Sequence, residues 1–494
     1  MLQAKEEGVT RQIESSNPTE RGMLTPPLSA MMVGMVHQIV APTSPKTAYV
    51  LGAGFSRAAS REMPITDELG QRAALRLGLN DLPQFQADGI TFESWMTWLA
   101  ERQPFLSEAE HLQDRARFAE LTEAIAIEVA ASQVAADTAG FPQWLGEFVD
   151  LLHWAQSEVI TLNYDTIIET TLDKSPRFDG DSTVNSADTV TGFPNGRGLM
   201  FGSGPYFEDR GTFRLYKLHG SIDWFGVPGD RTGATLGRIP TAEGRGVTAH
   251  RATIGGREVF LVPPTSTKDS YFDNPKTRFT WSQARDGLHE ADRVVLMGYS
   301  LPLTDTALAR LLVTTMAGAA LDVVVVNPDA QGVANRLVAL GVDRARIQTY
   351  EGYDCVVNFV ADEVKAATRE LLQHLVELVG STPNSPVAVG WGSSEWGAIT
   401  DALLDTVTGT LHLVVDRVDQ PLGTVLYPGN VSDDPSVRPT KTLGELLALG
   451  TPSSIVAEVE GREWQVCARA MPEATEEPDW VLLRPIGHQP DRRP

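Results

Sequence analysis

Cysteine is almost missing from this chain: Cys355 and Cys467 are the two in 494 residues. Two thiols build neither a disulfide framework nor a four-thiolate zinc site. Basic charge is short as well. There are 41 Lys and Arg against 64 Asp and Glu, a net charge of −23. That balance argues against a dedicated nucleic-acid face, which needs clustered cations for phosphates. Long apolar runs are also lacking. A membrane span takes roughly 20 apolar residues, whereas the best candidate, 31–40 (MMVGMVHQIV), stops short and carries His37 and Gln38. The first residues, MLQAKEEGVTRQIESSNPTERG, are charged and have no apolar signal core. These absences predict a cytoplasmic protein with no membrane partner. What is present is globular in composition, with 42% apolar and 21% charged residues, in a chain long enough for about two to four domains.

Residues 1–46 read as a flexible polar leader. Residues 47–380 read as an α/β domain, and 387–494 as a smaller acidic, β-rich domain of unknown role, regulatory or oligomerising, beyond a boundary at 381–386 (STPNSP). Six apolar runs, at 48–51, 158–162, 213–218, 258–262, 293–297 and 322–326, have strand character, and helical patterns follow several of them. Such alternation predicts a Rossmann-like parallel sheet with helices on both faces. About residues 66–158 read as a helical insertion, with apolar stripes at Phe92, Trp95, Met96 and Leu99 and at Phe141, Trp144, Leu145, Phe148 and Leu152. Residues 174–211 and 226–256 read as irregular loops over a site.

Polar motifs stand directly after the apolar runs, where an open parallel sheet binds its ligands. Gly52-Ala53-Gly54-Phe55-Ser56 lets backbone approach a pyrophosphate and aim N–H groups at it. The third glycine of the usual dinucleotide fingerprint is replaced by Arg57, so a simple strand-to-helix turn is the alternative. The Asn163 amide can bond a ribose hydroxyl or hold a water, with Asp165 orienting it; alternatively Asp165 is a helix N-cap. His219 in KLHGS can accept a proton near pH 7. Gly298 and Ser300 in GYS, and Asn327 in VNPD, suit a phosphate and an adenosine ribose, or serve as turn residues. No metal-ligand spacing, Walker lysine motif or nucleophile elbow is found.

Taken in order, GAGFS, TLNYD, KLHGS, GYSLPLTD, VVNPD and EGYDC resemble the sirtuin superfamily over about residues 47–378. They are most similar to its sirtuin-like branch in bacterial anti-phage defence proteins. The resemblance implies NAD as substrate, cleaved at the nicotinamide–ribose bond by Asn163 and His219 with Asp165 in support. It implies that Gly52, Ala53, Gly54, Phe55 and Ser56 grip the ADP part, with Phe55 closing over the nicotinamide end, and that Gly298, Ser300, Asn327 and Asp354 hold phosphate and ribose. Three departures separate the chain from protein deacylases. The two CxxC pairs of the zinc module are absent; TLNYD stands for Gln-Asn-Ile-Asp; and Glu62-Met63-Pro64-Ile65-Thr66-Asp67 stands for Gly-Ile-Pro-Asp-Phe-Arg. The expected activity is therefore NAD hydrolysis without a metal. It is expected to be gated by a phage component, a nucleotide signal or a partner protein, in a homo-oligomer. The alternatives are an NAD-dependent deacylase or ADP-ribosyltransferase, and a non-catalytic sensor of NAD or ADP-ribose.

Overall fold

The computed structural model describes residues 46–79, 90–174, 190–192, 212–230, 233, 235–238, 253–254, 256–266, 268–302, 304–317 and 320–367, with the strands of a C-terminal sheet between 387 and 485. In chain order the first ten strands are β1 (Thr47–Leu51), β2 (Glu158–Thr161), β3 (Arg214–Lys217), β4 (Gly220–Gly226), β5 (Gly237–Arg238), β6 (Thr253–Ile254), β7 (Arg257–Leu261), β8 (Arg293–Met297), β9 (Asp322–Val326) and β10 (Ile347–Tyr350). The helices between and after them are α1 (Ala53–Ala59), α2 (Thr66–Arg76), α3 (Phe92–Ala100), α4 (Glu108–Ala139), α5 (Gln143–Ala155), α6 (Ile167–Lys174), α7 (Asp269–Phe272), α8 (Pro275–His289), α9 (Thr306–Met316) and α10 (Ala330–Ala339). Residues 355–367 form a further helix, α11.

Six strands form one parallel sheet in the order β10-β9-β8-β1-β2-β3. Side chains alternate across a strand with period two, and both faces are apolar here. Tyr49, Leu51, Val159, Val295, Met297, Val324 and Val326 join one core cluster, with residues of α2 to α6 and α11. Ala48, Val50, Ile160, Val294, Leu296, Val323 and Val325 join a second, with residues of α8, α9 and α10. Central strands therefore read as continuous apolar runs, as a parallel sheet covered on both faces requires. Both predicted helical stripes pack inward: Phe92, Trp95, Met96, Leu99, Leu145, Phe148 and Leu152 are buried, and Phe141 and Trp144 lie against them. The long helix α4 starts on a capping box, Ser107 bonding the Glu110 N–H and Glu110 bonding back, which satisfies two donors the helix itself leaves open.

The strand order is the doubly wound one. The chain starts in the middle at β1, builds outward through β2 and β3, and returns to the other side of β1 at β8. The loops after β1 and β8 thus lead away in opposite directions, which makes their carboxyl ends the topological switch point.

Several expectations need correction. The run at 258–262 does form a strand, β7, but it lies in a separate antiparallel sheet of order β5-β4-β7-β6. An apolar run cannot say which sheet it joins. Strands β4 and β10 have no counterpart among the six apolar runs; β4 follows His219 directly, and β10 is only four residues long. In the β-rich C-terminal part, Thr410–Val418 and Ile455–Val459 are strands of a seven-stranded sheet that mixes parallel and antiparallel pairs. The leader up to residue 45, the boundary at 381–386 and most of 174–211 and 226–256 lie outside the described residues.

Gly298 sets the tolerance of the switch point. Its φ is +65°, and an added Cβ would lie 2.0 Å from the Phe55 nitrogen. Gly298→Ala combines left-handed strain with a backbone collision, so a loss of at least about 1–3 kcal/mol is expected. Urea unfolding checks this; an unchanged midpoint would show that the two strand ends are not packed this closely.

Candidate active site

The β1–α1 turn is bonded to the end of β8. Gly52 N–H donates to the Met297 carbonyl and Gly54 N–H to the Gly298 carbonyl, at 3.0 and 2.9 Å. A Cβ at Gly52 or Gly54 would approach Gly298 atoms to 2.6 and 2.9 Å. The glycines are needed here for close approach of two backbones. Phe55 departs from expectation. Its ring is 1% exposed and packs against Trp144 and Phe148 at 5.9 and 5.6 Å. It anchors α1 in the core, because the helix turns its third residue inward.

Asn163 extends from the end of β2 across β1. Its amide nitrogen donates to the Gly52 carbonyl at 2.9 Å and to Ser56 Oγ at 2.8 Å. A carbonyl can only accept, so the amide orientation is fixed by chemistry. Ser56 Oγ then donates to Asp165 Oδ2 at 2.6 Å. The relay runs one way, Asn163 to Ser56 to Asp165, and ends on a carboxylate acceptor. Both amide hydrogens of Asn163 are committed to protein, so Oδ1 is the atom it offers a ligand. Asp165 also accepts from the Ile167 N–H at 3.2 Å, at the start of α6. The cap and the site role therefore fall on one side chain, each using one carboxylate oxygen. Beneath it, Lys217 bonds the Asp165 carbonyl and pairs with Glu169 at 2.8 Å, with both side chains almost fully buried. Burial pushes the Glu169 carboxyl up, and Lys217 opposes the push.

His219 follows β3 and is 6% exposed. Gly220 beside it has φ +78° and reverses the chain into β4, where a Cβ would meet the Phe260 carbonyl oxygen at 2.2 Å. The imidazole Nε2 lies 3.4 Å from Lys268 Nζ, and its ring centre lies 6.4 Å from that of Trp281. Burial, reinforced by the Lys268 charge, lowers the imidazole to about 3. Lys268 in turn bonds Asp305 Oδ1 at 3.2 Å and lies 4.0 Å from Glu93 Oε1. Tyr299 donates to Asp305 Oδ2 at 3.2 Å, and Thr304 donates to Glu93. Burial disfavours the Asp305 charge, but His219, Lys268 and the hydrogen bonds from Lys268 and Tyr299 outweigh it and hold Asp305 below its ordinary value. Glu93 moves the other way, pushed up by burial against its bond from Thr304 and the charge of Lys268.

The remaining expected residues lie at neighbouring strand ends. Asn327, half-buried after β9, donates to the Tyr299 carbonyl at 3.3 Å and accepts from the Asp329 N–H at 2.9 Å. Ser300 is exposed, and its carbonyl accepts from Arg336. Asp354 is exposed at the start of α11, where its carbonyl accepts from Asn358. Gly298, Gly52, Asn163 and His219 thus end the adjacent strands β8, β1, β2 and β3, with Asn327 at the end of β9. Sequence reasoning missed Lys268, Glu93 and Tyr299. Lys268 stands in STKDS and Glu93 inside an apolar stripe, so no local pattern marked either; Asp305 stood within the GYSLPLTD motif without a role. Among the described residues no group of His, Cys, Asp and Glu has the geometry to hold a metal ion, and no helix is long and apolar enough to cross a membrane.

No protein-family model matches the chain, and no curated protein matches it. Among solved structures it is similar to one described as "Structural Basis for the Mechanism and Regulation of Sir2 Enzymes", at 13% identity and a TM-score of 0.32, covering 68% of this chain and 97% of that one. It is also similar to a Sir2 homolog–NAD complex, at 13% identity and a TM-score of 0.31 over 68% of this chain and 94% of the other. A third is the ADP-ribose complex of a mutant Sir2 homologue, at 14% identity and a TM-score of 0.30 over 67% and 96%.

The relay makes a direct prediction. Ser56→Ala leaves an Asn163 donor and an Asp165 acceptor without their shared partner, at a cost of about 1–3 kcal/mol. A melting temperature several degrees below that of the parent is the expected result, and an unchanged one would show that the relay does not form.

Proposed function

We propose that this chain hydrolyses NAD⁺ to nicotinamide and ADP-ribose. The observation that carries the reading is the set of polar groups at the switch point: a glycine turn, the Asn163–Ser56–Asp165 relay and His219 end three adjacent parallel strands. That crevice is where doubly wound sheets take dinucleotides, and the residues fit the cofactor's parts. In this reading the phosphates lie at the amino end of α1, at Ala53, since the N–H groups of Gly52 and Gly54 are bonded to the end of β8. Gly298, Ser300, Asn327 and Asp354 line the β8 to β10 side, where the ADP half lies in this reading. The motif resemblance points the same way.

In the proposed reaction the bond from ribose C1′ to the pyridinium nitrogen breaks, and its electron pair leaves with nicotinamide, which becomes neutral. A water oxygen bonds to C1′, and the water loses a proton to His219 and then to solvent. Asn163 orients a ribose hydroxyl or the water through Oδ1, and Asp165 holds Asn163 in place through Ser56. Positioning supplies most of the acceleration, because the cationic ribose needs little more than fixed dipoles and one oriented nucleophile. The intact Asn163 and His219 favour turnover over a stoichiometric sensor. In a cell such an enzyme needs gating; the reading assigns it to anti-phage defence, with the C-terminal sheet as the element that senses, oligomerises or docks a partner.

The test is nicotinamide release from NAD⁺, resolved by chromatography, with and without acyl peptides and candidate triggers. Asn163→Ala and His219→Ala should each lower the rate by about 10²–10⁴-fold. Parental rates in both variants, with parental melting temperatures, would remove the catalytic assignment. Release that requires an acyl peptide would instead favour the deacylase alternative.

A further inference from the structure

Resting on that reading, one feature of the site is left over: a buried lysine seated on the candidate base. Lys268 is 4% exposed, and a lysine this deep costs stability unless it is paired. Among the described residues its Nζ has three polar neighbours, His219 Nε2 at 3.4 Å, Asp305 Oδ1 at 3.2 Å and Glu93 Oε1 at 4.0 Å. Lys268 forms an ion pair with the Asp305 carboxylate. An ammonium has hydrogens and no acceptor, so Nε2 faces it with a lone pair and the ring proton sits on Nδ1. The nitrogen needed to take a proton is thus covered.

We propose that Lys268 is a positioning residue that latches His219: clamped by Asp305, its ammonium fixes the imidazole tautomer and covers Nε2, and it must give way toward Asp305 and Glu93 before His219 can accept a proton. The two carboxyl groups are on hand for that exchange, since each already lies within 4.0 Å of Nζ. The groups around the latch come from several elements. Tyr299 and Asp305 follow β8, Lys268 follows β7, Glu93 comes from α3 and Trp281 from α8. Tyr164, after β2, is a half-buried phenol that feels Glu93, Tyr271 and Asp305. Of these, Lys268 is the cation in bonding reach of the ring, and Asp305 is the anion that draws protons toward it.

Charge removal at the ring separates a latch from packing alone. In Lys268→Met the cation is gone while Asp305 stays, and an opposite charge nearby raises a histidine by about one unit or more. The experiment is NMR titration of the full chain labelled at histidine, without NAD⁺, with His219→Gln to assign the signal. The parent should show His219 neutral throughout pH ~5–8. Lys268→Met should bring its titration upward, toward the ordinary value near ~6.5, while Lys268→Arg should keep it low. Asp305→Asn, close in shape, should not raise it, because the anion is removed and Lys268 remains. A His219 signal that stays unchanged in folded Lys268→Met overturns the latch, as does one that rises equally in Lys268→Arg. Should Lys268→Met fail to fold, a rise in Asp305→Asn overturns it instead. Nicotinamide release is read separately. Faster release by Lys268→Met without a trigger supports the latch, and a rate at or below the parent's counts against it. Absence of release from every protein under all conditions, with the titrations as expected, sinks the NAD⁺ reading and leaves the latch standing.

Discussion

Two backbones held almost in contact make this site possible. The turn after β1 and the end of β8 are joined by hydrogen bonds from Gly52 and Gly54, and no side chain fits between them at 52, 54 or 298. Because the sheet reverses its winding between β1 and β8, this contact falls at the switch point beyond the strand ends. It also sets the start of α1, which places Ser56 facing β2 and Phe55 in the core. From there Asn163 reaches Gly52 and Ser56, and Asp165 reaches Ser56. Shifting either backbone by the width of a methyl group would undo all three bonds.

Buried charge surrounds this frame. Lys217 pairs with Glu169 under Asp165, and Lys268 pairs with Asp305 above His219. Ion pairs this deep recover at best what their desolvation costs, so net stability is a poor explanation for them. What each pair does is fix a neighbour. Lys217 bonds the Asp165 carbonyl and holds the turn that aims the carboxylate at Ser56. Lys268 holds His219 at its Nε2, 3.4 Å away.

Much of this is legible in the sequence, and the limits follow from what a local pattern encodes. Apolar runs ending in polar motifs locate β1, β2, β3, β8 and β9, because a strand buried on both faces must be apolar throughout. The same signal misplaces β7, since an apolar run in a small antiparallel sheet looks alike. Glycine at 52, 54 and 298 marks the close approach, yet motif order alone puts Phe55 against the ligand because it says nothing about helical phase. Asn163, Asp165 and His219 are found by their place after strands. Lys268 and Glu93 are not, because a buried charge is recognised by its partner, and these partners lie far away: His219 is 49 residues from Lys268, and Thr304 is 211 residues from Glu93.

The cluster around His219 also shows how one lysine sorts two carboxyl groups. Asp305 touches Lys268 at 3.2 Å and takes a hydrogen bond from Tyr299, and it is held below its ordinary value. Glu93 sits 4.0 Å from the same lysine, has a hydroxyl as its near partner, and is pushed up by burial. Carboxyl groups whose environments push them apart take different roles. Asp305 is the fixed counter-ion, and Glu93 is the group that can accept positive charge when Lys268 moves. The imidazole, the lysine and the two carboxyl groups thus balance one another within one buried cluster. A bound cationic substrate would disturb that balance at Asp305 and Glu93 first, the two acidic groups within reach of the lysine that covers His219.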